Sequence, residues 1–147
     1  MTEEKKKFMH PDSEHLVRAY SILQQRAGVA FPVFDEQSYK LDTIAKTVHA
    51  DYFGVVRFPS AEDKAIAYFC FIIKDHPMTD GNKRLAVLWL EIYAGAFKLE
   101  IDKKVMLDVL AVAVEQEKIL PMYNMIPIVK SIVFPKKPNS PEKIIAF

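Results

Sequence analysis

The chain has 147 residues, half of them hydrophobic and 27% charged, with 20 Lys+Arg against 19 Asp+Glu and a net charge of +1. That length makes one domain the default and suffices to bury roughly two thirds of the unfolded surface without disulfides or structural metals. The near-neutral balance excludes bulk attraction to nucleic acid or an anionic membrane, so any anion-binding capacity has to be local.

The lone cysteine, Cys70, lies in the apolar run Ala65-Ile66-Ala67-Tyr68-Phe69-Cys70-Phe71-Ile72-Ile73, where it can form no intrachain disulfide and packs most simply in the core. A reducing compartment suits it. The charged N-terminal residues, Met1-Thr2-Glu3-Glu4-Lys5-Lys6-Lys7, are not followed by an apolar signal region, and no stretch reaches the roughly 18 apolar residues of a membrane span. A cytoplasmic protein without membrane contact is expected.

Residues 1–9 are charged and expected to fray. Pro11-Asp12-Ser13 supplies a helix start, followed by Leu16, Tyr20 and Leu23 at helical spacing, and Gly28 ends that helix. Residues 30–39 read as extended or looping chain, a short flap, because Pro32 removes a donor and biases Phe31 away from helical angles. Leu41, Ile44, Ala45 and Val48 then mark an amphipathic helix closing before Gly54. Ser60 and Asp63 form a capping-box-like start to a helix over 61–74, apolar on most of its surface and therefore central. Pro77 prevents its simple continuation.

Residues 85–97 again read as helix, with Gly95 near its end, and Trp89, Tyr93 and Phe97 at four-residue steps read as a core stripe. Asp102 is expected to cap a further helix through about Lys118, with Met106, Val109, Leu110 and Ala113 as its buried stripe. Pro121 and Pro127 bracket a last segment at 122–133. The pattern predicts an all-α bundle over 1–134 and a Pro-rich, charged tail at 135–147 that leaves the core, with Ile144, Ile145 and Phe147 available to dock on a neighbour.

Asp80-Gly81-Asn82-Lys83 is first of all a turn, since Asp, Gly and Asn tolerate the angles that end one helix and begin another. On that reading Asp80 is an N-cap, His76 caps or packs near the preceding helix, and Lys83 and Arg84 are solvated. The same geometry also has a functional reading. A Gly-Asn turn opening a helix presents free N–H groups and the positive dipole end to an anion. Lys83 and Arg84 add positive charge, and the guanidinium of Arg84 can pair bidentately with phosphate oxygens. Asp80 is a hard oxygen ligand suited to Mg²⁺, and His76 is the histidine nearest the cluster, able to take a proton from an attacking hydroxyl. A base, a carboxylate, a glycine nest and two cations make a complete set for transfer of a phosphorus group.

The segment His76-Pro77-Met78-Thr79-Asp80-Gly81-Asn82-Lys83-Arg84 resembles the Fic/Doc motif H-P-F-x-[D/E]-G-N-[G/K]-R, with Met78 standing where phenylalanine is usual. Upstream, Phe53-Gly54-Val55-Val56-Arg57-Phe58-Pro59-Ser60 followed by Glu62-Asp63-Lys64-Ala65 is similar to the family's approach to its central helix, so the resemblance spans about residues 10–120. It implies an all-α fold that transfers AMP, or in the Doc (death-on-curing toxin) branch phosphate, from ATP or another nucleoside triphosphate with Mg²⁺. The acceptor is a Ser, Thr or Tyr hydroxyl of a target protein. His76 would be the base, Asp80 the Mg²⁺ ligand, Gly81, Asn82 and Lys83 the phosphate nest, Arg84 a phosphate grip and Met78 the loop's buried anchor. Lysine at 83, where AMP-transferring members usually carry glycine, resembles the Doc branch, as does the short length.

No hexapeptide of the family's autoinhibitory form [S/T]-x-x-x-E-[G/N] occurs in the chain, so restraint is expected from another chain, an antitoxin. Residues 30–39, with Phe31, Val33 and Phe34, occupy the place of the family's target-docking flap, core packing being the alternative for these side chains. His76, Asp80 and Arg84 are expected to converge on one concave, electropositive pocket. Two other readings stand beside the enzyme: a catalytically silent interaction module that keeps the fold, and a plain helical domain whose motif is a capped turn. His10, His15 and His49 have no metal-site spacing, and no Walker, H-R-D or D-F-G motif supports another phosphate-transfer architecture.

Overall fold

The computed structural model describes residues 13–27 and 35–136. Their elements in chain order are α1 (Ser13–Ala27), α2 (Asp35–Val48), β1 (Asp51–Tyr52), β2 (Val55–Val56), α3 (Ala61–Asp75), α4 (Asn82–Phe97), α5 (Leu107–Gln116) and α6 (Met122–Val133). The all-α expectation holds, with one short antiparallel hairpin added.

α3 is the axis of the bundle. It packs against α2, α4, α5 and α6, most extensively against α4, because 65–70, Ile72 and Ile73 are all buried and leave the helix almost no polar face. Its start is fully capped: Ser60 Oγ accepts from the Asp63 N–H at 3.0 Å, and Asp63 Oδ2 accepts from the Ser60 N–H at 3.3 Å. Asp63 also pairs with Lys130 of α6 at 2.8 Å, tying the cap to the last helix. Cys70 lies in the core, and burial pushes its thiol up to about 12.

α1 and α2 bury the residues expected from their spacing, Leu16 and Tyr20 on the first and Leu41, Ile44, Ala45 and Val48 on the second. α4 contributes Trp89 and Tyr93, which meet Tyr68 of α3 with ring centroids 5.5 and 5.6 Å apart, while Phe97 stacks on Tyr93 at 4.6 Å. The aromatic stripe is core, as its period indicates.

Several expectations need correction. Residues 35–39 belong to α2 rather than to a flap, and the remainder of that segment, with Phe31, Val33 and Phe34, lies outside the described residues. The extended structure falls at 51–56 instead: Asp51 pairs with Val56 and Tyr52 with Val55 around a two-residue turn. Phe53 and Gly54 both have positive φ, 55° and 82°, the requirement of a hairpin turn whose twist matches its strands. Glycine meets it freely and phenylalanine does so under strain.

The helix expected from Asp102 begins only at Leu107, capped by Met106, because Asp102 turns the chain locally by accepting from the Lys104 N–H at 3.1 Å. Its buried residues are Ala111 and Val114; Met106 and Val109 are 71% and 59% exposed. Pro127 lies inside α6 on an exposed face rather than ending it. The N-terminal 1–12 and the tail from 137 lie outside the described residues, and with them His10, Ile144, Ile145 and Phe147. Among the described residues no helix is long and apolar enough to cross a membrane.

Candidate active site

The loop 76–81 joins the end of the buried axis, α3, to the start of α4, so the two most tightly packed helices fix both of its ends. His76 is the C-cap of α3 and adopts the left-handed conformation, φ 46° and ψ 59°. Pro77 and Met78 then turn inward and are buried, and Met78, 3% exposed, is the anchor expected of it.

Asn82 holds the loop together. Its Oδ1 accepts from the Met78 N–H at 2.9 Å and its Nδ2 donates to the Met78 carbonyl at 2.9 Å. That pairing fixes the amide orientation, so the second amide hydrogen is the one directed at His76 Nδ1, 3.3 Å away. In this arrangement Nδ1 accepts, and the neutral ring carries its proton on Nε2. Taking a proton at Nε2 requires the other tautomer, reached by giving up one long hydrogen bond at a cost of about 1 kcal/mol. Asn82 was expected in the phosphate nest; its side chain is a brace for the loop, and only its backbone N–H is left for an anion.

Gly81 is the N-cap of α4 with φ 80°. A Cβ there would meet the Tyr20 ring at 3.8 Å, an ordinary contact, so glycine is required by the backbone angle and not by space. The N-cap is therefore Gly81, not the Asp80 of the turn reading. Tyr20 of α1 closes the loop from behind, its hydroxyl donating to the Asp80 carbonyl at 3.0 Å. From α2, Gln37 donates to Thr79 Oγ1 at 2.8 Å.

The starts of α3 and α4 contrast. α3 begins with a capping box and two acidic residues, whereas α4 has no side-chain cap, no acidic residue in its first turn, and Lys83 and Arg84 there instead. Cations at a helix N-terminus oppose the dipole, so this start is a poor one for the helix and a good one for an anion. The first helical bond runs from Leu85 N–H to Gly81 O at 2.9 Å, leaving the N–H groups of 82–84 ahead of it.

His76 lines a cleft of about 260 Å³ between the loop, which contributes Pro77, Met78 and Thr79, and α2, which contributes Glu36, Gln37 and Lys40. Asp80 and Arg84 are not among the residues that line this cleft. Both are exposed, and neither side chain has a hydrogen bond or ion pair among the described residues. A lone, unpaired carboxylate beside an open helix start fits Mg²⁺, which keeps several waters and shares phosphate oxygens. Among the described residues no group of three metal-ligating side chains forms a cage. Lys83 turns away to α5, its Nζ 2.8 Å from Glu115 Oε2.

Sequence reasoning missed Tyr20 and Gln37 as partners of the loop and Glu115 as the partner of Lys83, since each comes from a distant helix. His49 is bonded to Tyr68, 2.9 Å from Nε2 to the hydroxyl. The model of the Fic/DOC family matches residues 10–94. No curated protein and no solved structure matches the chain. The matched residues are more than half of the 147, and they end beyond the loop and most of α4; the chain belongs to the Fic/DOC family.

Proposed function

We propose that the chain is a Fic/Doc-type transferase that moves a phosphorus group from a nucleoside triphosphate to a Ser, Thr or Tyr hydroxyl of a target protein. The observation that carries this reading is His76 in the left-handed position that closes α3. Glycine or asparagine serves that position best for structure alone, and a strained residue beside an open helix start is where function is expected to outweigh stability.

In the proposed reaction the hydroxyl oxygen attacks phosphorus as its proton passes to the His76 imidazole. The new O–P bond forms while the bond to the leaving group breaks, releasing ADP when γ-phosphate moves or pyrophosphate when AMP moves. The N–H groups of 82–84 and the Arg84 guanidinium hold the phosphates, and Mg²⁺ held by Asp80 would neutralise phosphate charge. The hairpin edge at 51–56, with Phe53 and Val55 exposed, offers a target main-chain pairing.

Lysine rather than glycine at 83 favours phosphate transfer, the Doc-type chemistry, over AMP transfer, and an antitoxin as the restraining partner. A second reading, a catalytically silent interaction module, draws on the Lys83–Glu115 pair, which withdraws one cation from the nest. Incubation with cell extract and Mg²⁺ plus ATP labelled at either the α or the γ phosphorus separates them. γ-Label on protein supports phosphate transfer, α-label supports AMP transfer, and no label on any protein favours the silent module.

A further inference from the structure

Glu115 lies 32 residues beyond Lys83, on α5, yet its carboxylate is the partner of that lysine at 2.8 Å. The two side chains are 41% and 28% exposed, so the pair is neither sealed in the core nor free in solvent. The acid is also held in place. Lys74, in the last turn of α3, donates to the Glu115 carbonyl at 3.4 Å and to the Glu117 carbonyl. The Glu117 carboxylate in turn accepts from the Ile119 and Leu120 N–H groups at 2.9 and 3.1 Å, folding the chain back after α5.

The end of α5 is thus pinned to the end of α3, two residues before His76. A hydrogen bond from Lys83, reinforced by that lysine's charge, outweighs desolvation and holds the Glu115 carboxyl below the usual carboxylate range. The carboxylate is within electrostatic reach of both the base and the nest's cation. Lys83, in the first turn of α4, sits where the helix dipole disfavours a cation, and Glu115 compensates locally.

We propose that Glu115 sets the nucleotide affinity of the site by competing with phosphate oxygens for the Lys83 ammonium. This rests on reading the loop as a nucleoside triphosphate site. An ammonium held by a carboxylate offers the incoming phosphates no net charge, and binding has to displace Glu115 or proceed without Lys83. Glu115 acts through Lys83 and touches no reacting atom; it is a positioning residue.

The test is calorimetric titration of the full chain with ATP and Mg²⁺, for wild type, Glu115→Gln, Lys83→Met and the double variant, with thermal melts confirming that each is folded. Glu115→Gln should bind ATP roughly two- to fivefold more tightly, the range expected from releasing a partly exposed ion pair. That gain should vanish in the Lys83→Met background, and Glu115→Asp should return affinity towards wild type. Glu115→Ala replaces Glu115→Gln if the latter does not fold. Unchanged or weaker binding by folded Glu115→Gln, or an equal gain without Lys83, overturns the proposal while the site reading stands. Absence of binding by every variant and by wild type overturns both.

Discussion

Asn82 grips Met78 from both sides, accepting from its N–H and donating to its carbonyl, each at 2.9 Å. Met78 is buried, so neither backbone group has water as an alternative. Asn82→Ala should therefore lower stability by about 2–4 kcal/mol, the cost of two orphaned buried groups. Asn82→Asp, which keeps the acceptor and loses the donor, should fall between. Urea denaturation measures both, and a loss under about 0.5 kcal/mol for Asn82→Ala would mean that the loop has another brace.

The left-handed angles of His76 give a prediction in which stability and activity part company. Glycine adopts φ 46° without a Cβ penalty. His76→Gly should be more stable than His76→Ala by about 1 kcal/mol in the same denaturation assay, although both lack the imidazole. Equal stability of the two would show that the turn carries no strain.

How much of this was legible in the sequence depends on the range of the interactions. The Ser60–Asp63 capping box, the apolar faces of α1 to α4 and the helix–loop–helix placement of 76–82 are set by residues a few positions apart, and the spacing reveals them. The start of α5 was misread because Asp102 is as good a turn former as a helix cap, and its side chain serves the turn at Lys104. The hairpin escaped because its strands have two residues each, too few for alternation to register, although Phe53-Gly54 carried the turn signal. Tyr20 and Gln37 meet the loop across 60 and 42 residues, and Glu115 meets Lys83 of α4 across 32; no local pattern encodes such contacts.

Asp63 supplies a pH dependence. Burial raises its carboxyl, but hydrogen bonds from Lys130 and Ser60 outweigh this and hold it below the usual range. A carboxyl depressed in the folded state stabilises above its unfolded value and loses that contribution as pH falls through the folded one. Stability should decline below about pH 4, and Asp63→Asn, less stable at pH 7, should show a shallower decline. Denaturation midpoints at pH 7, 4 and 3 check this; parallel declines would remove Asp63 from the acid response.

Cys70 should be chemically silent in the folded chain. Its thiol is buried and pushed up to about 12, leaving almost no thiolate at neutral pH. A maleimide or disulfide reagent at pH 7.5 should modify it only as fast as the protein unfolds, and rapidly in denaturant. Fast labelling under native conditions would contradict the core placement.

The central claim is that His76 accepts the proton of an attacking hydroxyl while the nest binds the nucleotide independently. The nest is backbone and helix dipole, so His76→Ala leaves it intact. The most direct measurement is label transfer from ATP to the target protein, taken together with ATP affinity, for wild type and His76→Ala. Transfer should fall by roughly 10²- to 10⁴-fold, the usual contribution of a positioned base, with affinity changed less than about threefold. Equal transfer by wild type and His76→Ala would contradict the account.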